Sequence, residues 1–127
     1  MRDFKKYYTI AVTPDMVYKG LTNPAVIRLW TGADVEMSEE PGSEFSLWNG
    51  DICGRNLEFI PDKKIVQEWY FGEQDQPSVV TILLHEHKQG TSVELRHINI
   101  PEEDYEDIVS GWNEQYFGVL VDFYEEG

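Results

Sequence analysis

The fold is decided by residues 101–124, PEEDYEDIVSGWNEQYFGVLVDFY, near the end of the chain. Large apolar residues recur there at the spacing of one helix face: Tyr105, Ile108, Val109, Trp112, Tyr116, Val119, Leu120 and Phe123. This period predicts one long amphipathic helix whose apolar face is wide enough to lie across a β-sheet. Carboxylates crowd its first turns and complement the positive end of the helix dipole. The rest of the chain is expected to supply the sheet.

Two glycines, Gly111 and Gly118, are set into this helix seven residues apart and hence on similar faces. A glycine in a helix interior costs about 1 kcal/mol relative to alanine. That cost is tolerated where the backbone must approach a neighbour closely, or where the fold leaves space for something else. The sequence leaves both alternatives open: a packed interior if the glycines face the sheet closely, and a ligand cavity if they face a void.

The segment before residue 34 is predicted to form one strand and two short helices. Residues 7–12 are β-branched and aromatic, as strands prefer. Thr13-Pro14 and Asn23-Pro24 each place a capping residue before a proline, a combination typical of helix starts. The second helix is expected to run through Trp30 and to stop at Thr31-Gly32.

From residue 34 onward the hydrophobic period becomes that of strands, weakly at 35–38 and then at 43–48, 51–60, 65–71, 78–87 and 92–100. Asn49-Gly50 favours a two-residue type I′ hairpin, since both central residues of that turn need positive φ. The sequence therefore predicts a single α+β domain over residues 1–127. A curved antiparallel sheet of six or seven strands wraps around the C-terminal helix in a helix-grip arrangement, and the two short helices close one end.

Charge and composition exclude several classes of partner. The chain has 24 Asp plus Glu against 10 Lys plus Arg, a formal net charge of −14. A domain this negative is repelled by nucleic-acid phosphates and by anionic lipid surfaces. No stretch approaches the roughly 20 apolar residues of a membrane span. The lone Cys53 gives no disulfide framework and is interpreted as a structural thiol, so we expect a cytoplasmic protein.

A series of short motifs resembles the START-like superfamily, also called the SRPBCC or Bet v 1-like fold, and within it the Aha1-type family named after the activator of Hsp90 ATPase. The motifs are, in order, Thr13-Pro14, Val17-Tyr18, Leu21-Thr22-Asn23-Pro24, Trp30, Phe45-Ser46-Leu47-Trp48-Asn49-Gly50-Asp51-Ile52-Cys53-Gly54, Pro61-Asp62-Lys63-Lys64-Ile65-Val66-Gln67-Glu68-Trp69, Ser110-Gly111-Trp112 and Tyr116-Phe117. The resemblance covers nearly the whole chain. It implies the helix-grip fold, a cavity between sheet and helix that often takes apolar ligands, and, from the eukaryotic namesake, docking on a chaperone.

Candidate ligand-binding residues are the aromatic, glycine and polar residues that this arrangement points inward: Trp30, Phe45, Gln67, Trp69, His97, Asn99, Gly111, Trp112 and Tyr116. Such pockets are mostly apolar, with a few polar groups that orient the ligand. His97 and Asn99 are expected to share the inward strand face. The alternative is that the aromatic residues fill the core and that the polar ones bond internally.

Neither a metal site nor a catalytic site is predicted. His85 and His87 lie on one side of a strand near His97, but no third and fourth ligand follow at zinc spacing, and no cofactor is expected. No nucleophile, acid or base pattern stands out, so an enzyme of the cyclase or hydrolase sort is the third hypothesis. The first is binding of a small hydrophobic ligand in the cavity, and the second is regulation of an Hsp90-type chaperone. The oligomeric state stays open between a monomer and a weak homodimer, since a dimer surface could be formed by exposed Trp48, Tyr70 or Phe71.

Overall fold

The sheet is the frame of the computed structural model, which describes residues 1–72, 74 and 76–126. Its strands are β1 (Arg2–Ile10), β2 (Glu44–Leu47), β3 (Ile52–Ile60), β4 (Lys64–Trp69), β5 (Ser78–His87) and β6 (Gly90–Ile100). All neighbours are antiparallel in the order β1-β6-β5-β4-β3-β2. The first strand thus pairs with the last, and the predicted α+β architecture with its curved sheet and C-terminal helix is confirmed.

Two short helices, α1 (Pro14–Thr22) and α2 (Pro24–Thr31), follow β1 as predicted. Asn23 caps α2, because its side-chain oxygen accepts hydrogen bonds from two backbone N–H groups of the first turn. Gly32 ends α2 in the left-handed conformation with φ 68°. The Thr-Pro pair predicts that the Thr13 side chain caps α1, and this prediction is wrong. The Thr13 hydroxyl donates to the Asp15 carboxylate instead.

The C-terminal segment is less regular than one continuous α-helix. A 3₁₀ turn (Glu102–Asp104) leads into α3 (Tyr105–Gly111), then a π-helical turn (Trp112–Tyr116) and α4 (Phe117–Glu126). The prediction of a helix over 101–124 is correct in extent, but the π turn was not foreseen. It changes the rotation between the two glycines, so that they meet different surroundings.

The core lies between the inward face of the sheet and the C-terminal segment. Ile65, Ile82 and Leu95, on β4, β5 and β6, are almost fully buried there. Phe117 and Leu120 of α4 are completely buried from the other side. Phe117 stacks on Tyr8 of β1 with ring centroids 4.7 Å apart. This end of the segment is closely packed.

Two local predictions between residues 34 and 52 were wrong. The segment 35–38 contributes a single bridge, Glu36 to Ser46, among the described residues and forms no strand. The connection between β2 and β3 is a wider turn than the predicted two-residue hairpin, since Trp48, Asn49 and Gly50 all have positive φ. The prediction of positive φ at Asn49 and Gly50 was right, but Trp48, with φ 51°, adopts it as well.

Candidate functional site

A cavity of about 140 Å³ separates the start of the C-terminal segment from the sheet. It is lined by Trp48, Ile52, Trp69, Asp107, Ile108, Gly111, Trp112, Gln115 and Tyr116. A Cβ built on Gly111 meets no atom within 4 Å, so this glycine borders open space. A Cβ on Gly118 would instead clash with the backbone carbonyl of Asn113. The void alternative is therefore realised at Gly111, whereas Gly118 lies close to the π turn of its own helical segment and not to the sheet.

Aromatic rings form most of the cavity wall. Trp69 and Trp112 stack with centroids 4.7 Å apart and planes 26° apart. The ring centroid of Tyr116 lies 4.6 Å from that of Trp112 and 5.9 Å from that of Trp48. The planes of Tyr116 and Trp48 meet at 66°. These separations are typical of favourable aromatic pairs. Burial raises the pKa of Tyr116, so its hydroxyl stays neutral at ordinary pH.

His97 holds Trp112 in place from behind the cavity wall. The indole N–H of Trp112 donates to Nδ1 of His97 at 3.0 Å, so the ring proton is assigned to Nε2. Nε2 then donates to the Ser78 hydroxyl at 2.8 Å, and that hydroxyl donates to the Ile98 carbonyl at 3.1 Å. Burial lowers the pKa of His97 from 6.5 to about 3, against the weaker opposing effect of Asp3. The imidazole is therefore neutral and fully used in internal bonds.

Gln67 performs the same task for Trp69. The Trp69 indole N–H donates to the Gln67 side-chain oxygen at 3.0 Å, and the Gln67 amide donates to Asn56 at 3.0 Å. Asn56 in turn donates to the Ser43 hydroxyl at 3.2 Å. Sequence reasoning missed Asn56, although an asparagine in a strand pattern is disfavoured and could have drawn attention. Both stacked indoles are thus oriented by buried, neutral hydrogen-bond chains.

The other predicted site residues lie outside the cavity lining. Trp30 donates its indole N–H to the Gly20 carbonyl at 2.8 Å and packs edge-on against Trp48 and Tyr116. Phe45 is buried in the core, and its ring centroid lies 6.5 Å from that of Trp69. Four predicted residues do line the cavity: Trp69, Gly111, Trp112 and Tyr116.

The prediction that Asn99 shares the inward face with His97 is wrong. The register of β1 and β6 shifts between Arg2 and Phe4, opposite this part of β6, and Asn99 has φ 58°. A bulge inserts an extra residue and breaks the alternation of side chains. The Asn99 amide therefore donates to the Pro77 carbonyl near the surface, and Ile100 takes the buried position.

Sequence reasoning missed the residues at the cavity mouth, Asp107 and Gln115, and the aliphatic lining of Ile52 and Ile108. The sequence pattern places Asp107 only among the carboxylates of the charged helix start. Trp48 was considered as a residue of an exposed dimer surface, but its ring is half-buried at the cavity. Its positive φ is a true outlier for a bulky side chain.

The remaining histidines engage in local contacts. His85 Nε2 lies 3.2 Å from a Glu94 carboxylate oxygen, and His87 accepts the Gln89 backbone N–H through Nδ1. Within residues 1–72, 74 and 76–126, no group of three His, Cys, Asp or Glu side chains is placed to hold a metal ion. Nor does any helix of this part of the chain have the length and apolar character to cross a bilayer.

The family model and two of the related proteins that match this chain belong to one family. The family described as activator of Hsp90 ATPase homolog 1-like protein matches residues 11–124. The human activator of 90 kDa heat shock protein ATPase homolog 1 is 27% identical over 113 residues, which are 86% of this chain and 33% of that protein. The Dictyostelium discoideum homolog is 33% identical over 103 residues, 79% of this chain and 27% of that protein. The chain spans about a third of the length of these relatives.

Solved structures extend the comparison. A Plasmodium falciparum protein described as an HSP90 activator is 25% identical with a TM-score of 0.82 and 91% coverage of both chains. A protein from Mesorhizobium loti is 21% identical with a TM-score of 0.81 and 98% coverage of both. The Aha1 dimer from Colwellia psychrerythraea is 19% identical with a TM-score of 0.79 and covers 98% of this chain and 95% of its own. The last two likenesses show the fold alone.

Proposed function

Because this chain belongs to the family of activator of Hsp90 ATPase homolog 1-like proteins, we propose that it binds an Hsp90-type chaperone and changes the rate of its ATPase. The observation that carries this proposal is the extent of the match, which takes in residues 11–124 and, in structure, 91% of both this chain and the Plasmodium activator. The matched region makes up only 33% and 27% of the relatives named as activators. The proposed activity is accordingly that of one domain.

The chemistry of the interior supports a binding role over a catalytic one. General acid–base catalysis needs a group whose pKa lies near the working pH and which reaches the substrate. His97, the buried histidine, has its pKa lowered to about 3 by desolvation and directs both ring nitrogens into internal bonds. Gln67 and Asn56 are neutral and likewise paired. These buried polar groups are committed to orienting the tryptophans.

The test is the ATPase rate of a purified Hsp90-type chaperone with increasing amounts of this protein. We expect a saturable change in rate and co-elution of the two proteins. An unrelated domain of similar size and charge is the matched control, since a net charge of −14 alone can attract basic surfaces. No change in rate together with no co-elution at low salt would contradict the proposal.

The cavity supports a second function, binding of a small apolar group. The specific observation is that Gly111 borders open space while the neighbouring aromatic rings remain buried and oriented. At about 140 Å³ the cavity is below the roughly 300 Å³ of a drug-sized pocket. It is close to the roughly 150 Å³ of an engineered apolar cavity that holds benzene. The proposed ligand is therefore a fragment or one end of a larger molecule.

The left-handed backbone of Trp48 adds support for this second function. Such a conformation costs about 1–3 kcal/mol, and strained residues of this kind cluster at functional sites. Here it belongs to a residue whose ring lines the cavity.

Titration of the ¹⁵N-labelled protein with indole or toluene tests the ligand proposal. We expect chemical-shift changes confined to the cavity, including the indole N–H signals of Trp69 and Trp112. Gly111→Leu should abolish them by filling the space. Val119→Leu, on the exposed side of α4, is the matched control and should leave them intact. Equal responses of both variants would argue against binding in the cavity.

A further inference from the structure

The cavity mouth differs chemically from its walls. The walls are aromatic and aliphatic, whereas the mouth carries the exposed carboxylate of Asp107 and the amide of Gln115. No lysine or arginine belongs to the lining, and Asp107 forms no ion pair with any residue that the structure describes. The site therefore combines aromatic rings with one uncompensated negative charge.

We propose that this cavity binds a small alkylammonium group, with its methyl groups against the aromatic walls and its positive charge beside Asp107. The inference rests on the proposed ligand-binding function and names the chemical class of the ligand. Ammonium groups surrounded by aromatic rings are stabilised by the negative faces of those rings, by about 0.5–2 kcal/mol for each favourable contact. A nearby carboxylate adds a charge–charge attraction.

Ring arrangement fits this class of ligand. Trp48 and Tyr116 meet at 66° with centroids 5.9 Å apart, so the cavity has walls of different orientation rather than a flat slot. Walls of different orientation can contact a rounded group with several methyls on more than one side. The Tyr116 hydroxyl remains neutral because burial raises its pKa, so no second negative charge forms inside.

Charge outside the cavity favours the same sign of ligand. Glu103, Asp104 and Glu106 lie on the same helical segment as Asp107, and the whole chain carries −14. This field raises the local concentration of cations and repels carboxylates and phosphates. The volume excludes a complete lipid but accommodates one compact cationic group.

The experiment compares choline with 3,3-dimethyl-1-butanol, which has nearly the same shape but a carbon in place of the charged nitrogen. Affinities are measured by NMR titration of the indole N–H signals. We expect choline to bind at least tenfold more tightly, and this preference to shrink as salt is added. Gly111→Leu should remove binding of both compounds.

Two variants locate the charge that is recognised. Asp107→Asn should reduce the preference for choline to about threefold or less, while Glu103→Gln, which removes the same charge from outside the lining, should leave it nearly unchanged. Equal losses in both variants would overturn the inference, since they would indicate diffuse attraction to the acidic helix start.

The outcomes separate this inference from the proposed function. If the neutral analogue binds as tightly as choline, the alkylammonium assignment fails and binding of an apolar group stands. If neither compound nor the small aromatics bind, both the assignment and the cavity function fail.

Discussion

The two ends of the C-terminal segment face the same sheet in opposite ways. None of the residues of α3 is fully buried, and Gly111 at its end borders a cavity. In α4, Phe117 and Leu120 are completely buried, and the Asn113 carbonyl of the preceding π turn lies where a Gly118 side chain would be. The π turn lies between these two ends. A single amphipathic pattern thus produces one packed end and one open end, because an inserted residue changes the rotation of the helix midway.

The largest expected effect comes from altering the packed end. Gly118→Ala places a methyl group against the Asn113 carbonyl, which is backbone and cannot rotate away. We expect a loss of roughly 3 kcal/mol in the free energy of unfolding, at the upper end for overpacking, measured by urea denaturation. An unchanged stability would mean that the π turn rearranges easily and that the two ends are not fixed relative to each other.

A smaller effect, about 2 kcal/mol between pH 7 and pH 5, is expected from acid, acting where the ends meet. The pKa of His97 is about 3 in the folded protein and near 6.5 when unfolded, so between these values the unfolded state binds a proton that the folded state does not. Stability therefore falls as the pH drops below 6.5, by about 1.4 kcal/mol per pH unit from this group.

His97→Gln is the control for the acid effect. Its amide is able to accept from Trp112 and donate to Ser78 but does not titrate. Urea midpoints between pH 7 and 5 should depend less on pH in this variant than in the wild type. Parallel curves for the two proteins would contradict the assigned neutral imidazole.

The smallest effect is expected at the open end. Gly111 has helical φ and ψ of −61° and −43°, and a methyl group there meets open space. Gly111→Ala should therefore stabilise the protein by about 1 kcal/mol, because alanine is the better helix former. The two Gly→Ala substitutions, seven residues apart, are thus expected to change the free energy of unfolding in opposite directions. This pair of measurements compares the open and packed ends most directly. Destabilisation by Gly111→Ala would show that the cavity closes in solution.

Much of the fold was predictable because hydrophobic period and turn residues are local signals. The bounds of β5 coincide with the predicted residues 78–87, and α2 stops at Gly32 as expected. The π turn has no local sequence signal that separates it from an α-turn. Gly118 is the one residue related to it, because the Asn113 carbonyl of the turn leaves no space for a side chain there. The Asn99 bulge depends on the register with β1, which a single strand pattern does not contain.

The site was predictable only in its aromatic part. Trp69, Trp112 and Tyr116 were recognised from their inward periodicity and from the family resemblance, and Gly111 from its cost in a helix. The residues at the cavity mouth could not be predicted. Asp107 is one of several acidic residues in a helix start, and their spacing does not indicate which of them lines a cavity. That distinction depends on how far α3 stands from the sheet.

The stacked indoles also give the protein an internal optical reporter. Trp69 and Trp112 are 4.7 Å apart and nearly parallel, and each indole N–H is fixed by a buried partner. At this separation the electronic transitions of the two indoles couple, and the 26° tilt between the ring planes keeps the pair from being fully parallel, so we expect a paired signal in circular dichroism. Because both rings line the cavity, occupancy and loss of tertiary structure can be followed in the unlabelled protein through this exciton band.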